Sequence, residues 1–275
     1  TISKDHWVVE KRNVWFLAAA FIECNLPHSD YTESPIYQRR NGSLRMTIIN
    51  NGAGMPYGVY ARLLLMHIMT DATIKQTPEI DLPKIRALCR LFSLTSGSKA
   101  NSLLLDQIKR LFDCTITLKY DGEDAFDLLD GANLSNAFMA HLSESAVPVD
   151  YDAYSAMRRS IISGDLFLWL SHRLPHIRKD KPLVTIPMVR MKEQFGSSYS
   201  RHIDFVAAFT DAIKTVKIFY PAANVQIKGG DVMLYRSHPH VFAGLEGEPA
   251  TVAATALAAI RSNGSVRLAP KAANQ

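Results

Sequence analysis

Several polar side chains between residues 197 and 204 could form hydrogen bonds with a nucleic acid. The guanidinium of Arg201 can donate to both O6 and N7 of guanine in the DNA major groove. Asp204 can accept a hydrogen bond from the amine of cytosine, or it can pair with Arg201 instead. The hydroxyls of Ser197, Ser198 and Ser200 can bond base edges or phosphates. We therefore predict base readout by Ser197, Ser200, Arg201 and Asp204, and a phosphate contact by Ser198.

Basic and polar side chains on either side of this segment could neutralise DNA phosphates. Such contacts fix the position of a protein on the duplex without reading its sequence. Each of these side chains could equally be exposed to solvent only, and a histidine could belong to the edge of the core. The phosphate contacts that we predict are Lys192, Ser198, His202, Lys228 and Arg236 in the second half of the chain, and Lys99, Asn101 and Arg110 in the first half.

The polar segment lies within a strand pattern followed by two helix patterns. The β-branched run 183–186 predicts a strand. Residues 187–195 predict a helix with proline in its first turn and Gly196 at its end. A second helix is predicted to open at Ser197 and Ser198, which are good N-terminal caps. Its apolar stripe has helical spacing and comprises Tyr199, Ile203, Val206, Phe209, Ile213 and Val216.

Two short strand patterns flank Gly229-Gly230 and predict a β-hairpin that carries Lys228 and Arg236. Strand, helix, tight turn, helix and hairpin is the order of a winged helix-turn-helix. In such a unit the second helix enters the major groove and the hairpin contacts the DNA backbone. An amphipathic helix with Arg and Asp on its exposed side is common in globular proteins. The ordered unit, and not the helix alone, therefore favours DNA binding.

A similar order of patterns occurs in the first half of the chain. It comprises an apolar helix at 57–73, a strand pattern at 79–82, helices at 83–91 and 99–112 and a strand at 114–120. The second half repeats the apolar helix at 166–174. We predict an α+β fold with two tandem winged helix-turn-helix domains. The acidic residues Glu123, Asp124 and Asp127 would repel DNA. We therefore expect the first domain to make fewer DNA contacts or to form a protein interface.

The predicted boundaries are 1–40 for an N-terminal arm, 41–145 for the first winged-helix domain, 146–242 for the second and 243–275 for a partly disordered tail. Aromatic residues in the arm must pack on the first domain or on a partner chain, and its polar residues at 31–41 indicate a loop. The link between the domains contains Val147-Pro148-Val149-Asp150. Pro148 should hold this link extended.

The net charge of +5 is unevenly distributed along the 275 residues. Residues 1–150 hold 15 basic and 17 acidic side chains, whereas residues 151–242 hold 13 basic and 7 acidic ones. A polyanion is the simplest partner for the second half.

Three cysteines without a CxxC pair indicate a reducing compartment and no zinc site. The apolar run 14–22 is too short to cross a bilayer and lacks a cleavage site, so we expect a cytoplasmic protein that does not bind membranes.

Enzymatic chemistry has little support in the sequence. His238-Pro239-His240 could be a histidine pair that holds a metal beside a nicking tyrosine, but its middle residue is proline and no tyrosine follows in the chain. Two histidines on a turn after the hairpin is the favoured interpretation. The glycines at 52–54 lack the Gly-Lys-Ser/Thr of a phosphate-binding loop. We predict no catalytic residue, no metal and no cofactor.

Short motifs follow one another in order between Gly52 and His240. They are Pro56-Tyr57-Gly58, Arg62-Leu63-Leu64-Leu65, Ile108-Lys109-Arg110-Leu111-Phe112, Val147-Pro148-Val149-Asp150, Trp169-Leu170-Ser171-His172-Arg173-Leu174, Gln194-Phe195-Gly196, Asp204-Phe205 and Ser237-His238-Pro239-His240. Together they resemble the plasmid-encoded RepA-type replication initiators. The resemblance implies binding to double-stranded DNA repeats (iterons) at a plasmid origin, origin opening, and recruitment of the host initiator ATPase and replicative helicase.

The same resemblance implies a division of labour between the two domains. The C-terminal winged helix would read the major groove, and the N-terminal one would contact the backbone and support a homodimer. Many such proteins repress their own promoter as dimers and bind the origin as monomers. Two other functions share the residue patterns: a tandem winged-helix transcriptional repressor that binds an inverted operator as a dimer, and a protein-interaction module.

Overall fold

The computed structural model describes residues 13–95, 97–196 and 198–241. Ser197, the first part of the predicted arm and the predicted tail at 243–275 lie outside the described residues. The helices are α1 (Ala19–Glu23), α2 (Gly58–Lys75), α3 (Ile85–Leu91), α4 (Ser98–Asp113), α5 (Asn136–Ser145), α6 (Tyr151–Met157), α7 (Ile161–Arg173), α8 (Met188–Phe195) and α9 (His202–Phe219).

Antiparallel sheets make up the rest of the regular structure. The strands are β1 (Val14–Ala18), β2 (Ile36–Asn41), β3 (Leu44–Ile49), β4 (Thr115–Tyr120), β5 (Phe126–Asp127), β6 (Leu129–Asp130), β7 (Asn133–Leu134), β8 (Ala146–Asp150), β9 (Leu183–Pro187), β10 (Val225–Lys228) and β11 (Asp231–Tyr235). Their orders are β2-β3-β4-β5, β10-β11-β9, β1-β8 and β6-β7. This mixture of helices and antiparallel sheets confirms the predicted α+β class.

The strand predicted at 79–82 is wrong, because the structure has no strand there. The segment is held by isolated hydrogen bonds instead of a ladder. Leu134 N donates to Pro78 O at 2.9 Å, and Ile80 N donates to the side chain of Asn133 at 3.4 Å. Pro83 follows at once and has no N–H to donate. The first half therefore lacks the short strand that the second half has at β9.

The loop predicted at 31–41 is also wrong in its last six residues, which form β2. This strand pairs with β3 in the register Tyr37 to Ile48. The sequence pattern concealed it because two of its three inward positions carry polar residues, Arg39 and Asn41. Both are accommodated by hydrogen bonds: Arg39 Nε donates to Tyr37 Oη at 2.6 Å, and Asn41 donates to Glu23 O at 3.0 Å.

Part of the predicted arm is an integral part of the core. Strand β1 pairs with β8 along its whole length, and the ring of Trp15 stacks on that of Tyr151 with centroids 4.0 Å apart. The extended conformation predicted around Pro148 is confirmed, since this residue lies within β8. The predicted link therefore pairs with part of the predicted arm.

A buried ion pair connects the apolar helices of the two halves. Arg62 on α2 donates from Nε and Nη2 to the two oxygens of Asp165 on α7, at 2.7 and 2.8 Å. Nε2 of His28 lies 2.9 Å from the same carboxylate. Burial raises the pKa of Asp165, but the charge of Arg62 and the hydrogen bonds from His28 and Arg62 outweigh it, so its pKa lies well below the usual range. The carboxylate is therefore ionised at neutral pH.

A buried histidine should make folding stability depend on pH. The ring of His67 packs against the rings of Trp15 and Phe92, and neither of its ring nitrogens has a hydrogen-bond partner among the described residues. Burial lowers its pKa, so the unfolded chain binds a proton at a pH where the folded chain does not. The contribution of neutral His67 to stability is therefore fully present above the ordinary histidine pKa of about 6.5 and is lost as pH falls below that value.

The measurement is urea unfolding at several pH values between about 7 and 5. We expect the free energy of unfolding to fall as pH falls, by at most about 1.4 kcal/mol per pH unit for one histidine. A His67→Phe variant should show a shallower slope. His141 and His176, whose pKa values burial also lowers, should retain part of the dependence. An identical slope in the variant would contradict the assignment to His67.

Candidate nucleic-acid interface

The second half contains the elements that were predicted around the polar segment. Helix α8 matches the predicted helix at 187–195, and strand β11 lies between β9 and β10. The hairpin turns at Gly229 and Gly230, whose φ angles of 63° and 87° suit glycine and the tight turns of two-residue hairpins. Met188 N donates to Gly230 O at 3.0 Å, so the tip of the hairpin touches the start of α8.

The second helix begins later than predicted, at His202 instead of Ser197 and Ser198. Residues 198–201 form a connecting turn in which Tyr199 N donates to Gly196 O at 3.0 Å. The turn persists because the ring of Tyr199 packs against that of Phe205, with centroids 5.8 Å apart. Ser198 and Ser200 are consequently exposed on the turn and do not lie in the first helical turn.

The side chains of α9 that face the core differ from the predicted apolar stripe. The buried side chains of α9 are Phe205, Phe209, Ala212, Ile213 and Val216. Ile203 was predicted to belong to the apolar stripe, but it is 71% exposed. Val206 packs against the core while remaining only partly buried. The predicted stripe is therefore wrong at its N-terminal end and right at its C-terminal end.

The predicted base readers Arg201 and Asp204 are bonded to each other at the start of α9. Arg201 donates from Nε and Nη2 to the two carboxylate oxygens of Asp204, both at 2.7 Å. Both side chains are exposed, and exposed pairs of this kind contribute at most about 1 kcal/mol. The guanidinium can therefore exchange this partner for a base edge at small cost. His202, the first residue of α9, is exposed beside them.

The predicted phosphate contacts of the second half have different surroundings. Lys192 Nζ donates to Ser200 O at 3.1 Å, which joins α8 to the turn before α9. Lys228 is exposed at the end of β10, beside the hairpin turn. Arg236 lies one residue beyond β11, at the base of the hairpin, and its backbone N donates to Pro182 O at 2.9 Å. Its guanidinium donates to Ile177 O, so this side chain is bonded within the protein.

The predicted contacts of the first half are mostly engaged within the protein. Arg110 donates to Asp30 at 2.7 Å and to Asp106 at 2.8 Å, and these hydrogen bonds to carboxylates raise its pKa. Asn101 accepts a hydrogen bond from the Cys89 thiol at 3.2 Å. Lys99 is exposed in the first turn of α4. Lys99 is exposed and has no such bond to another described residue, so its charge faces solvent.

Residue patterns alone did not indicate three exposed side chains near this surface. Ile203 was assigned to the core, and Val189 on α8 is 53% exposed although it is apolar. Arg190, the next residue, forms an exposed ion pair with Glu193 at 2.8 Å. Met188 and Met191 are buried, and their spacing on α8 would have predicted that Arg190 is exposed. No comparable pattern predicted the exposure of Ile203.

Of the two histidines after the hairpin, His240 is buried in the protein and His238 is exposed. Nε2 of His240 lies 3.1 Å from a carboxylate oxygen of Asp150, and its ring packs edge-on against Phe167. The hydroxyl of Tyr220 donates to the carbonyl of His238. Within the described ranges, no cluster of three His, Cys, Asp or Glu residues could hold a metal ion. Nor is any helix of these ranges both long and apolar enough to cross a membrane.

Comparisons with known proteins give similarity to solved structures only. No family model and no curated protein matches the chain. A crystal structure of domains 2 and 3 of RctB has a TM-score of 0.47 and 10% identity, with 79% of this chain and 96% of that chain covered. A second structure, of selenomethionine derivatives of the same domains, has a TM-score of 0.47 and 11% identity, with 80% and 96% covered. At this level of similarity, neither match assigns a function to the chain.

Proposed function

We propose that the chain is a sequence-specific protein that binds double-stranded DNA and initiates replication at repeats in a plasmid origin. One observation carries the DNA-binding part of this proposal. The exposed start of α9 presents Arg201, His202 and Asp204 next to a helix, α8, whose own start contacts the tip of a hairpin carrying Lys228. A recognition helix flanked by a hairpin that contacts the DNA backbone is the arrangement that winged helices use on DNA.

The order of elements supports winged-helix units in both halves. In the second half, α7, β9, α8, α9 and the β10–β11 hairpin follow one another, and the central strand is β11. In the first half, α2, α3, α4, β4 and β5 have the same order, with β2 and β3 added to the sheet and the short strand missing. The second unit is the proposed base reader, because residues 151–242 carry the positive excess.

The sequence motifs support an initiator over a repressor. Their order from Gly52 to His240 resembles the RepA-type initiators along most of the chain. By this resemblance, the protein would bind iterons, promote origin opening and recruit the host initiator ATPase and replicative helicase in the cytoplasm. It would form a homodimer in at least one state, through the first unit, and could repress its own promoter in that state. It would act without a cofactor and without catalysis of its own.

Footprinting on the DNA that flanks the gene, at two salt concentrations, tests the proposal. An initiator should protect several direct repeats, with affinity that falls steeply as salt rises. Protection of a single inverted site would favour the repressor. No protection at either salt concentration would overturn the proposal and would show that the basic half binds something other than DNA.

The exposed lysine beside the hairpin turn gives a prediction about backbone contacts. A Lys228→Ala variant should bind all DNA more weakly, and the slope of log affinity against log salt should fall by about one unit. The reason is that one phosphate contact releases about one counterion. Lys119→Ala is the matched control, since Lys119 is an exposed lysine on β4. A loss confined to the cognate site, or an equal loss in the control, would contradict the assignment.

A further inference from the structure

Helix α9 exposes a large apolar side chain in its first turn. Ile203 is the second helical residue and is 71% exposed, and Ala207 is exposed one turn later. Side chains four residues apart lie on the same face of a helix. The opposite face is already filled by Phe205 and Phe209, which are fully buried. The exposure of Ile203 therefore follows from a completed core and not from poor packing.

The geometry of the helix directs this apolar face away from the protein. Successive side chains on a helix are rotated by about 100°, so Ile203 and Ala207 each lie about 200° from Phe205. Ile203 is surrounded in sequence by Arg201, His202 and Asp204, which are polar and partly or fully exposed. An isolated apolar side chain among charges is too small for a stable protein interface, which needs roughly 1,000 Å². It is large enough to cover one methyl group.

We infer that Ile203, with Ala207 behind it, reads the C5-methyl group of a thymine in the major groove. This inference rests on the proposed DNA-binding function and specifies what that surface recognises. Residues at the N-terminal end of a recognition helix contact base edges. Thymine is the base that presents a methyl group in the major groove, and apolar side chains are its usual partners. Ile203 is thus a specificity-determining residue beside the hydrogen-bonding side chain of Arg201.

Replacement of thymine by deoxyuridine tests the inference with the full chain. Deoxyuridine keeps the hydrogen-bonding edge of thymine and lacks only the methyl group. Each thymine of the footprinted site is replaced in turn, and the affinity is measured by fluorescence anisotropy. The wild-type protein should bind about fourfold more weakly at one position or more, which corresponds to the burial of a single methyl group. An Ile203→Ala variant should bind the thymine site more weakly and should no longer distinguish deoxyuridine at that position.

Ile218→Ala provides the matched control. Ile218 is 73% exposed on the same helix, but it lies near the C-terminal end. This variant should distinguish thymine from deoxyuridine as the wild type does. If Ile203→Ala also retains the full distinction, the inference is overturned while DNA binding stands. If Ile203→Ala changes the oligomeric state and leaves DNA binding unchanged, the face contacts a second copy of the chain and the inference is likewise overturned. Absence of any specific footprint would instead overturn the proposed function.

Discussion

Replacing Asp165 by asparagine is expected to destabilise the folded chain by about 3–5 kcal/mol, because Arg62 would remain buried without its counter-charge. Arg62 and Asp165 expose only 6% and 3% of their side chains. The same guanidinium also donates to Leu26 O at 2.8 Å and to Pro27 O at 3.2 Å. The pair therefore joins α2, α7 and the segment after α1. Urea unfolding followed by circular dichroism should show a lower midpoint for the variant.

Two further variants separate a buried charge from a general effect of mutation. Asp121 forms an exposed ion pair with Arg40, and Asp121→Asn should leave the unfolding midpoint unchanged. The double variant Arg62→Met, Asp165→Leu removes both charges and should recover part of the stability lost in Asp165→Asn. Recovery should be incomplete because the carbonyls bonded to Arg62 lose their donor. Equal midpoints for Asp165→Asn and the wild type would show that the pair does not hold the two halves together.

The contribution of the Arg62–Asp165 pair to folding stability should decrease as pH falls. The folded-state pKa of Asp165 is lowered, so its contribution is present above the ordinary carboxyl value of about 4 and is lost as pH falls toward the folded-state value. The contribution of His67 is lost as pH falls below about 6.5, so its loss begins at a higher pH than that of Asp165. Acid should therefore weaken the fold first through the histidine and only later through the carboxylate.

Local signals explain why the elements of the second half could be predicted. Pro187 precedes α8, Gly196 ends it, and Gly229-Gly230 supplies the backbone angles that the hairpin turn requires. Each of these residues acts on its immediate neighbours, so a short window of sequence is sufficient. The apolar helix α2 could be predicted for a similar reason, because apolar residues occupy most sides of the helix.

The contacts that join distant segments could not be predicted in this way. Arg62 and Asp165 are 103 residues apart, and no periodic pattern connects them. The pairing of β1 with β8 joins segments that were assigned to an arm and a link. Nothing in either segment specifies its partner, since a strand pattern defines a face but not a neighbour. Tertiary packing decides such pairings.

The start of α9 illustrates the same limit within the candidate site. Serine is a better helix cap than arginine, so Ser197 and Ser198 were the natural choice from propensity. The structure places the cap at Arg201, because Tyr199 packs against Phe205 from outside the helix. Ser198 and Ser200 therefore lie on the turn before α9, and Ile203 is exposed in the first turn of the helix.

Arg201→Ala should largely abolish the preference for the cognate site while leaving weak binding to unrelated DNA. A bidentate contact with guanine discriminates by about 1–3 kcal/mol, which corresponds to a loss of roughly 5- to 150-fold in specificity. Competition binding with cognate and shuffled duplexes measures this ratio. Arg190→Ala is the matched control, because Arg190 also forms an exposed ion pair with a carboxylate three residues later. The control should lower both affinities by a similar factor and leave their ratio unchanged.

Asp204→Asn completes this test, because it distinguishes the two roles open to the carboxylate. If Asp204 serves mainly to hold the guanidinium of Arg201, its neutralisation should release that group for guanine, and cognate affinity should be retained or should rise. If Asp204 itself accepts a hydrogen bond from cytosine, specificity at one base pair should fall instead. A specificity ratio that stays the same in Arg201→Ala would remove Arg201 from base readout. Sequence recognition would then rest on the apolar face of Ile203 and on the shape of the DNA.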